Sequence, residues 1–251
     1  MSFEQPDTGG VSNRTEHMSE EMKKQFGYDL YPERQSAFKP TLGGLLRMSE
    51  GKEMGRRLRC EQMVYNNFLD SPIIKVMVGA LKSSGCPVNL RRHFSCEMCD
   101  TSVHGGYDPE LNQVVICHNT ALSHGYVQGI MTHEMIHMFD ACNHKFDFKN
   151  IEHVACSEIR AANMTHCSYL SGLIRNDFGF RLRKAHQDCV KKKAYLSVVA
   201  VRNVSKEEAV AVIDKVFDKC YNDLEPIGRR VKRDTQDMDL ALDEAVLLGY
   251  V

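Results

Sequence analysis

The chain has 251 residues, 43% of them hydrophobic, with a formal net charge of −1. That suits one sizeable domain with tails, or two small ones, and the charge balance points to neither nucleic acid nor acidic substrates. No stretch approaches the ~20 apolar residues that span a bilayer.

Residues 1–51 are polar and dotted with Gly and Pro (Gly9, Gly10, Pro32, Pro40, Gly43, Gly44), which predicts a loosely ordered tail. With Glu4, Asp7, Glu16, Glu20 and Glu21 and no apolar run, this tail is expected to be neither a secretory signal nor a transit peptide. From Met54 the apolar spacing becomes helical through Leu58, Met63, Val64 and Phe68. Ser71-Pro72 reads as an N-cap with proline at the first helical position, opening a helix that ends near Gly85. Val88–Phe94 and Gln113–Cys117 read as short strands separated by the turn signals Gly105-Gly106 and Asp108-Pro109. Helices follow over about 123–142, 151–173 and 180–201. A last one runs from Ser205, which forms a capping box with Glu208, to about Tyr221. After Glu225-Pro226 the chain is charged and expected to be loose. The basic groups Arg181, Arg183, Lys184 and Lys191–Lys193, and Arg229, Arg230, Lys232 and Arg233, read as a solvated helix face and a polar tail. With His133-Glu134-Met135-Ile136-His137, an HExxH zinc-binding pattern, on the helix over 123–142, the expected fold is α+β, mainly α and zincin-like, with a small sheet before that helix and a helical C-terminal half. The divisions are a tail at 1–51, a metallopeptidase domain at 52–228 and a charged tail at 229–251.

The motif is His133-Glu134-Met135-Ile136-His137, an HExxH sequence on the helix over 123–142. At 3.6 residues per turn the two histidines share a face, where they can hold one Zn²⁺, and Glu134 can take a proton from the water that the metal acidifies. The alternative is a pair of structural histidines on a core helix. Val127, Ile130, Met131, Met135, Ile136, Met138 and Phe139 make the helix apolar enough to be buried, and buried polar groups need partners that zinc supplies. A catalytic zinc takes a third protein ligand. Asp140 lies ~10.5 Å beyond His133 along the axis, too far for a short side chain, and is expected instead to orient His137 through its free ring nitrogen. Glu158 on the next helix is the preferred ligand, over His153 and the weaker His144. Glu134 is then the general base, returning its proton to the leaving amine. The Val114–Cys117 strand offers either a β-augmentation edge for substrate or a sheet edge with no such role.

Ten cysteines run from Cys60 to Cys220. Cys86, Cys96, Cys99 and Cys117 suit either a Cys₄ zinc site, for which only Cys96-Glu97-Met98-Cys99 has metal-like spacing, or disulfides clamping the sheet. No βαβ context supports a redox CxxC. A Cys142–Cys156 bridge would join the two ligand-bearing helices, worth ~3 kcal/mol in the chain-entropy model. Cys156 and Cys167 stand too far apart on one helix to pair. Many cysteines suggest an oxidising compartment, while the missing leader suggests the cytosol; a non-standard import route reconciles them.

Several spaced motifs resemble one family. They are Ser84-Gly85-Cys86-Pro87-Val88-Asn89, His93-Phe94-Ser95-Cys96, Thr132 to Asp140, and His153-Val154-Ala155-Cys156-Ser157-Glu158-Ile159-Arg160-Ala161-Ala162-Asn163. Ala200-Val201-Arg202-Asn203 and Glu225-Pro226 extend the likeness, which runs from about Cys60 to Gly228. The chain thus resembles the mitochondrial inner-membrane metalloproteases of ATP synthase assembly, whose animal members are also called Ku-binding proteins. The resemblance implies a soluble zinc peptidase of the intermembrane space, peripheral to the inner membrane. Its implied substrate is the precursor of the proton-channel subunit of ATP synthase, with a separable chaperone role in assembly. It also implies paired cysteines and import through the disulfide relay, and assigns Glu134, His133 and His137 to the catalytic centre. Two other functions remain open: an assembly chaperone with a structural zinc, and a nuclear partner of DNA end-joining factors. Ten free thiols would favour the nucleus, five bridges the intermembrane space.

Overall fold

The computed structural model describes residues 48–101, 103–167, 180–202, 204–231, 236–247 and 249–250. Residues 1–47 of the tail expected over 1–51, and the end of the helix expected over 151–173, lie outside them. Two long helices open the fold, α1 (Met48–Asp70) and α2 (Pro72–Ser83). Between them Ser71 accepts a hydrogen bond from the Ile74 N–H, and Pro72 starts α2 where no amide hydrogen is needed. Then come a short helix α3 (Leu90–His93) and a three-stranded sheet, β1 (Phe94–Glu97), β2 (Gly105–Asp108) and β3 (Gln113–Cys117). The motif helix α4 (His124–Asn143) and α5 (Ile151–Ala161) follow, and a π-helical turn (Ala162–His166) continues α5. The helices α6 (Phe180–Val201), α7 (Lys206–Asn222) and α8 (Asp237–Leu247) complete it.

The expected mainly helical α+β fold with a small sheet ahead of the motif helix is present. Its local details differ in four places. The segment expected as a strand from Val88 is interrupted because the Asn89 side chain accepts from the Arg91 N–H and caps α3, so β1 begins only at Phe94. Gly105-Gly106, expected as a turn, lie in β2. β3 is the central strand, parallel to β1 and antiparallel to β2. Its amides are engaged on both sides, so it cannot pair with a substrate, and β2 is the edge strand nearest α4. Beyond Pro226, α8 buries Ala241 and Ala245 against α2 and is tied by the Arg229–Glu244 ion pair, where a loose tail was expected.

The interior divides into two clusters. One gathers α1, α2, the sheet, α4 and α8 around Ile74, Met77, Val114, Ile116, Met131, Met135 and Ile136. The other gathers α5, α6 and α7 around Ala155, Ile159, Val190, Ile213, Phe217 and Tyr221. All ten cysteines are paired. Cys60–Cys96, Cys86–Cys142 and Cys99–Cys117 lie within the first half, and Cys156–Cys220 and Cys167–Cys189 within the second. Neither a Cys₄ metal site nor a Cys142–Cys156 bridge exists. Cys142 turns toward the end of α2 and Cys156 toward α7, so the bridges clamp each half separately.

Two predictions follow from this frame. Replacing Cys156 and Cys220 together by Ala opens a 64-residue loop and should cost about 4 kcal/mol by loop entropy, measured by urea denaturation. His93 is buried, its Nδ1 accepts the Asn89 N–H at 2.8 Å, and burial with Arg92 nearby pushes its pKa down to about 4. Unfolded, it binds a proton near pH 6.5; folded, it does not until about pH 4. Its contribution is therefore fully present above pH 6.5 and is lost as pH falls through 4, at up to ~1.4 kcal/mol per pH unit. His93→Asn, which keeps an acceptor, should flatten the stability–pH curve in that window; an unchanged slope would refute the assignment.

Candidate active site

Ser123 caps α4 by accepting from the Tyr126 N–H, and the helix then runs through the interior, with Val127 and every residue from Gly129 to Asp140 buried. His133 and His137 are one turn apart, with their Nε2 atoms 3.2 Å from each other. What their other nitrogens do fixes what these two atoms are. The Ser157 hydroxyl donates to Asp140 Oδ2 at 2.6 Å, so at 2.7 Å from His137 Nδ1 it can only accept, and the ring carries its hydrogen on Nδ1. The Thr165 hydroxyl donates to the Ala161 carbonyl at 2.6 Å, so its longer 3.5 Å contact with His133 Nδ1 is oriented the same way. Both Nε2 atoms therefore present lone pairs, and they face each other.

Glu158 closes the third side. Its Oε2 stands 3.5 Å from His133 Nε2 and its Oε1 3.6 Å from His137 Nε2, and Oε2 is buried with no hydrogen-bond partner. Two lone pairs and an orphaned carboxylate oxygen repel one another unless a cation lies between them. A tetrahedral ion with bonds of about 2.0–2.1 Å sets its ligand atoms ~3.3 Å apart, close to the three separations found. The donor set therefore fits a metal ion. The same need for positive charge appears in the titration. Burial disfavours the charged form of Glu158, but His137 and His133 overcome it and hold the carboxyl down to about 2. Burial pushes His137 down to about 4, whereas for His133 the nearby Glu134 and Glu158 outweigh burial and raise its pKa.

Glu134 is also buried, and its carboxylate oxygen lies within 4.8 Å of the imidazole nitrogens. It accepts the backbone N–H of Tyr107 on β2. Burial, opposed by His133 and reinforced by Glu158, lifts its pKa to about 7. Of the two carboxylates, Glu158 has the unpartnered oxygen and suits a metal. Glu134, already engaged by Tyr107, suits proton transfer. β2 reaches this position only because Gly105 has no side chain: a Cβ there would come 2.5 Å from Ile130 Cγ2 and 2.8 Å from the Val115 carbonyl oxygen.

Asp140 does not touch His137; it acts through Ser157 and is ion-paired with the buried Arg160, which also donates to the Glu225 carbonyl and lies 3.4 Å from Asp223. Burial raises the Asp140 pKa against the pull of Arg160 and Ser157. His153 is turned away from the cluster: its Nδ1 accepts the Asp147 N–H, and its ring rests on Phe146. His144 is exposed at the end of α4. Ser157, Thr165, Arg160, Gly105 and the Tyr107 amide were not marked by the motif. Ser157 stands directly before Glu158, but its contact across to Asp140 leaves no spacing signal.

A His-Glu-His constellation on a buried helix beside a small mixed sheet defines a zincin-like metallopeptidase. The chain belongs to the peptidase M76 family, whose model matches residues 58–228. It is 44% identical over 213 residues to the mitochondrial inner membrane protease ATP23 homolog of Danio rerio, covering 84% of this chain and 81% of that one. It is 44% identical over 173 residues to the Homo sapiens protein of the same name, covering 68% and 70%. With the mitochondrial inner membrane protease atp23 of Schizosaccharomyces pombe it shares 37% over 175 residues, covering 69% and 93%. No solved structure matches the chain.

Ser157→Ala should leave the fold intact yet weaken metal affinity about 10–100-fold, because His137 loses the acceptor that fixes its tautomer. Competition with a graded series of chelators measures this, and unaltered affinity would refute the role.

Proposed function

We propose that this chain is a zinc-dependent endopeptidase of the mitochondrial intermembrane space, peripheral to the inner membrane. It processes or chaperones a proton-channel subunit of ATP synthase. The observation that carries the reading is the pair of facing Nε2 lone pairs beside the orphaned Glu158 oxygen, with Glu134 alongside. His133, His137 and Glu158 hold the ion. Zinc bound there would acidify a water and polarise the scissile carbonyl. Glu134 takes the proton of the attacking water and delivers it to the leaving nitrogen. The Tyr107 N–H keeps the carboxylate aimed while it does so. The peptidase domain, expected over 52–228, takes in α1 from Met48 and α8 as well, and the extended substrate lies along β2 rather than β3.

Complete pairing of the cysteines supports an oxidising compartment over the nucleus. Among the described residues no helix is long and apolar enough to cross a membrane, which is compatible with peripheral attachment. The mitochondrial setting and the inner membrane are what the relatives' names suggest.

Glu134→Gln should retain one equivalent of zinc by elemental analysis and melt like the wild type. Its turnover of a peptide selected from a library by the wild-type protein should fall about 10²–10⁴-fold. Cleavage at the wild-type rate would remove Glu134 as the base. Absence of any wild-type cleavage together with normal ATP synthase assembly would favour the chaperone reading.

A further inference from the structure

Four cations on α6, which the sequence reads as a solvated helix face, have no part in the metal cluster. Arg183, Lys184, Lys192 and Lys193 are exposed and form no ion pair among the described residues. Their neighbour Lys191 is already committed: it donates to Asp214 at 2.6 Å and lies 4.6 Å from the centre of the Phe217 ring. Arg183 and Lys184 line a groove of about 560 Å³ between α6 and α7, together with Phe217, Asp188 and Asp218. Four unpaired cations against these two acids leave the face an excess of two positive charges, on a chain whose formal net charge is −1.

The same helix exposes aliphatic side chains. Leu196 is 52% exposed and Val199 37%. Lys192, Leu196 and Val199 stand at i, i+4 and i+7, so they form one stripe along the helix, and Lys193 lies at its edge. Val190, Ala194 and Val198 form the opposite stripe, which is buried and packs among α5 and α7. α6 therefore has an inner apolar face and a second, outer one bordered by lysines. A lysine stem can lie along a hydrocarbon boundary while its ammonium group stays among anionic headgroups. Aliphatic side chains flanked by unpaired cations thus complement a surface that is oily beneath and negative above.

We propose that the outer face of α6, the Lys192–Leu196–Val199 stripe with Arg183, Lys184 and Lys193 flanking it, is the surface by which the protein docks on an anionic phospholipid bilayer. This rests on the peripheral-attachment reading and gives it a location. Leu196 and Val199 enter the boundary between headgroups and acyl chains, and the cations pair with lipid phosphates. Charge also sets the orientation: α8, in the other hydrophobic cluster, exposes Asp239 and Asp243 and is repelled by such a surface. The docked face borders the metal cluster, because the Ser197 side chain, next to Leu196, hydrogen-bonds Glu158. A polypeptide leaving the bilayer beside α6 then emerges next to the residues that would cut it.

Co-sedimentation of the full chain with vesicles tests this. The protein should bind phosphatidylcholine vesicles that contain phosphatidylserine, ignore pure phosphatidylcholine, and be released as salt is raised. Lys184→Gln with Lys192→Gln should weaken that binding about 5-fold for each cation, about 25-fold together. Lys52→Gln with Arg59→Gln on α1 makes the same change in net charge and should leave binding unaltered. The chain has no Trp, so Leu196→Trp puts a single reporter in the stripe. Its emission should shift to the blue on vesicle binding, whereas that of Leu58→Trp on α1 should not. Failure of the wild type to bind either vesicle would remove the attachment reading and this face together; capture by polyglutamate in that case would assign the face to an acidic protein. Equal binding to both vesicles, binding that survives the Lys184 and Lys192 exchange, or a blue shift at Leu58→Trp and not at Leu196→Trp would overturn this face while leaving attachment in place.

Discussion

Two imidazole lone pairs and a carboxylate are pressed together in the dry interior, and the architecture around them makes sense only as the apparatus that keeps them there. The pair on α4 is fixed by helical pitch, whereas Glu158 comes from a different helix and a different hydrophobic cluster. The site lies in the seam between two separately packed halves. A polar chain crosses that seam: His137 to Ser157, Ser157 to Asp140, Asp140 to Arg160, and Arg160 to the Glu225 carbonyl. Buried chains of this kind are stable only when every member is satisfied, which makes them exacting about geometry.

The disulfides complement this chain without duplicating it. Three bridges close on residues 60–142 and two on residues 156–220, so the helices α4 and α5 are each stapled to other elements and never to one another. The relative placement of His133, His137 and Glu158 depends on side-chain packing, the Ser157–Asp140–Arg160 chain and the ion they suit. A covalent link at 142–156, which the short connecting loop invites, would have tied the end of α4, one turn beyond His137, to the middle of α5.

The catalytic helix was legible because its signal is local. Its period, its apolar flanks and the HExxH spacing all lie within twenty residues, and α2 and α7 were likewise announced by Ser71-Pro72 and by Ser205 with Glu208. What failed to show is what depends on distant partners. β2 contains two glycines and exists because β3 pairs with it; α8 exists because α2 offers a face for Ala241 and Ala245. Asn89 carried a local signal, a side chain able to cap a helix, that was overridden by the apolar residues around it. Axial rise along the helix says how far Asp140 stands from His133, but its contact with His137 through Ser157 required knowing how two helices face each other. The bridges show the same limit, since ten cysteines fix a parity and not a pairing.

The closure of every cysteine has a bearing on which metal the site can keep. Thiolates are softer donors than imidazole or carboxylate and would draw zinc or copper(I) into unintended sites. With all ten sulfurs tied up as cystine, the chain offers an incoming ion no thiolate to stray to. Among the described residues the His133, Glu134 and His137 cluster is the one suited to an ion, and no thiolate competes with it.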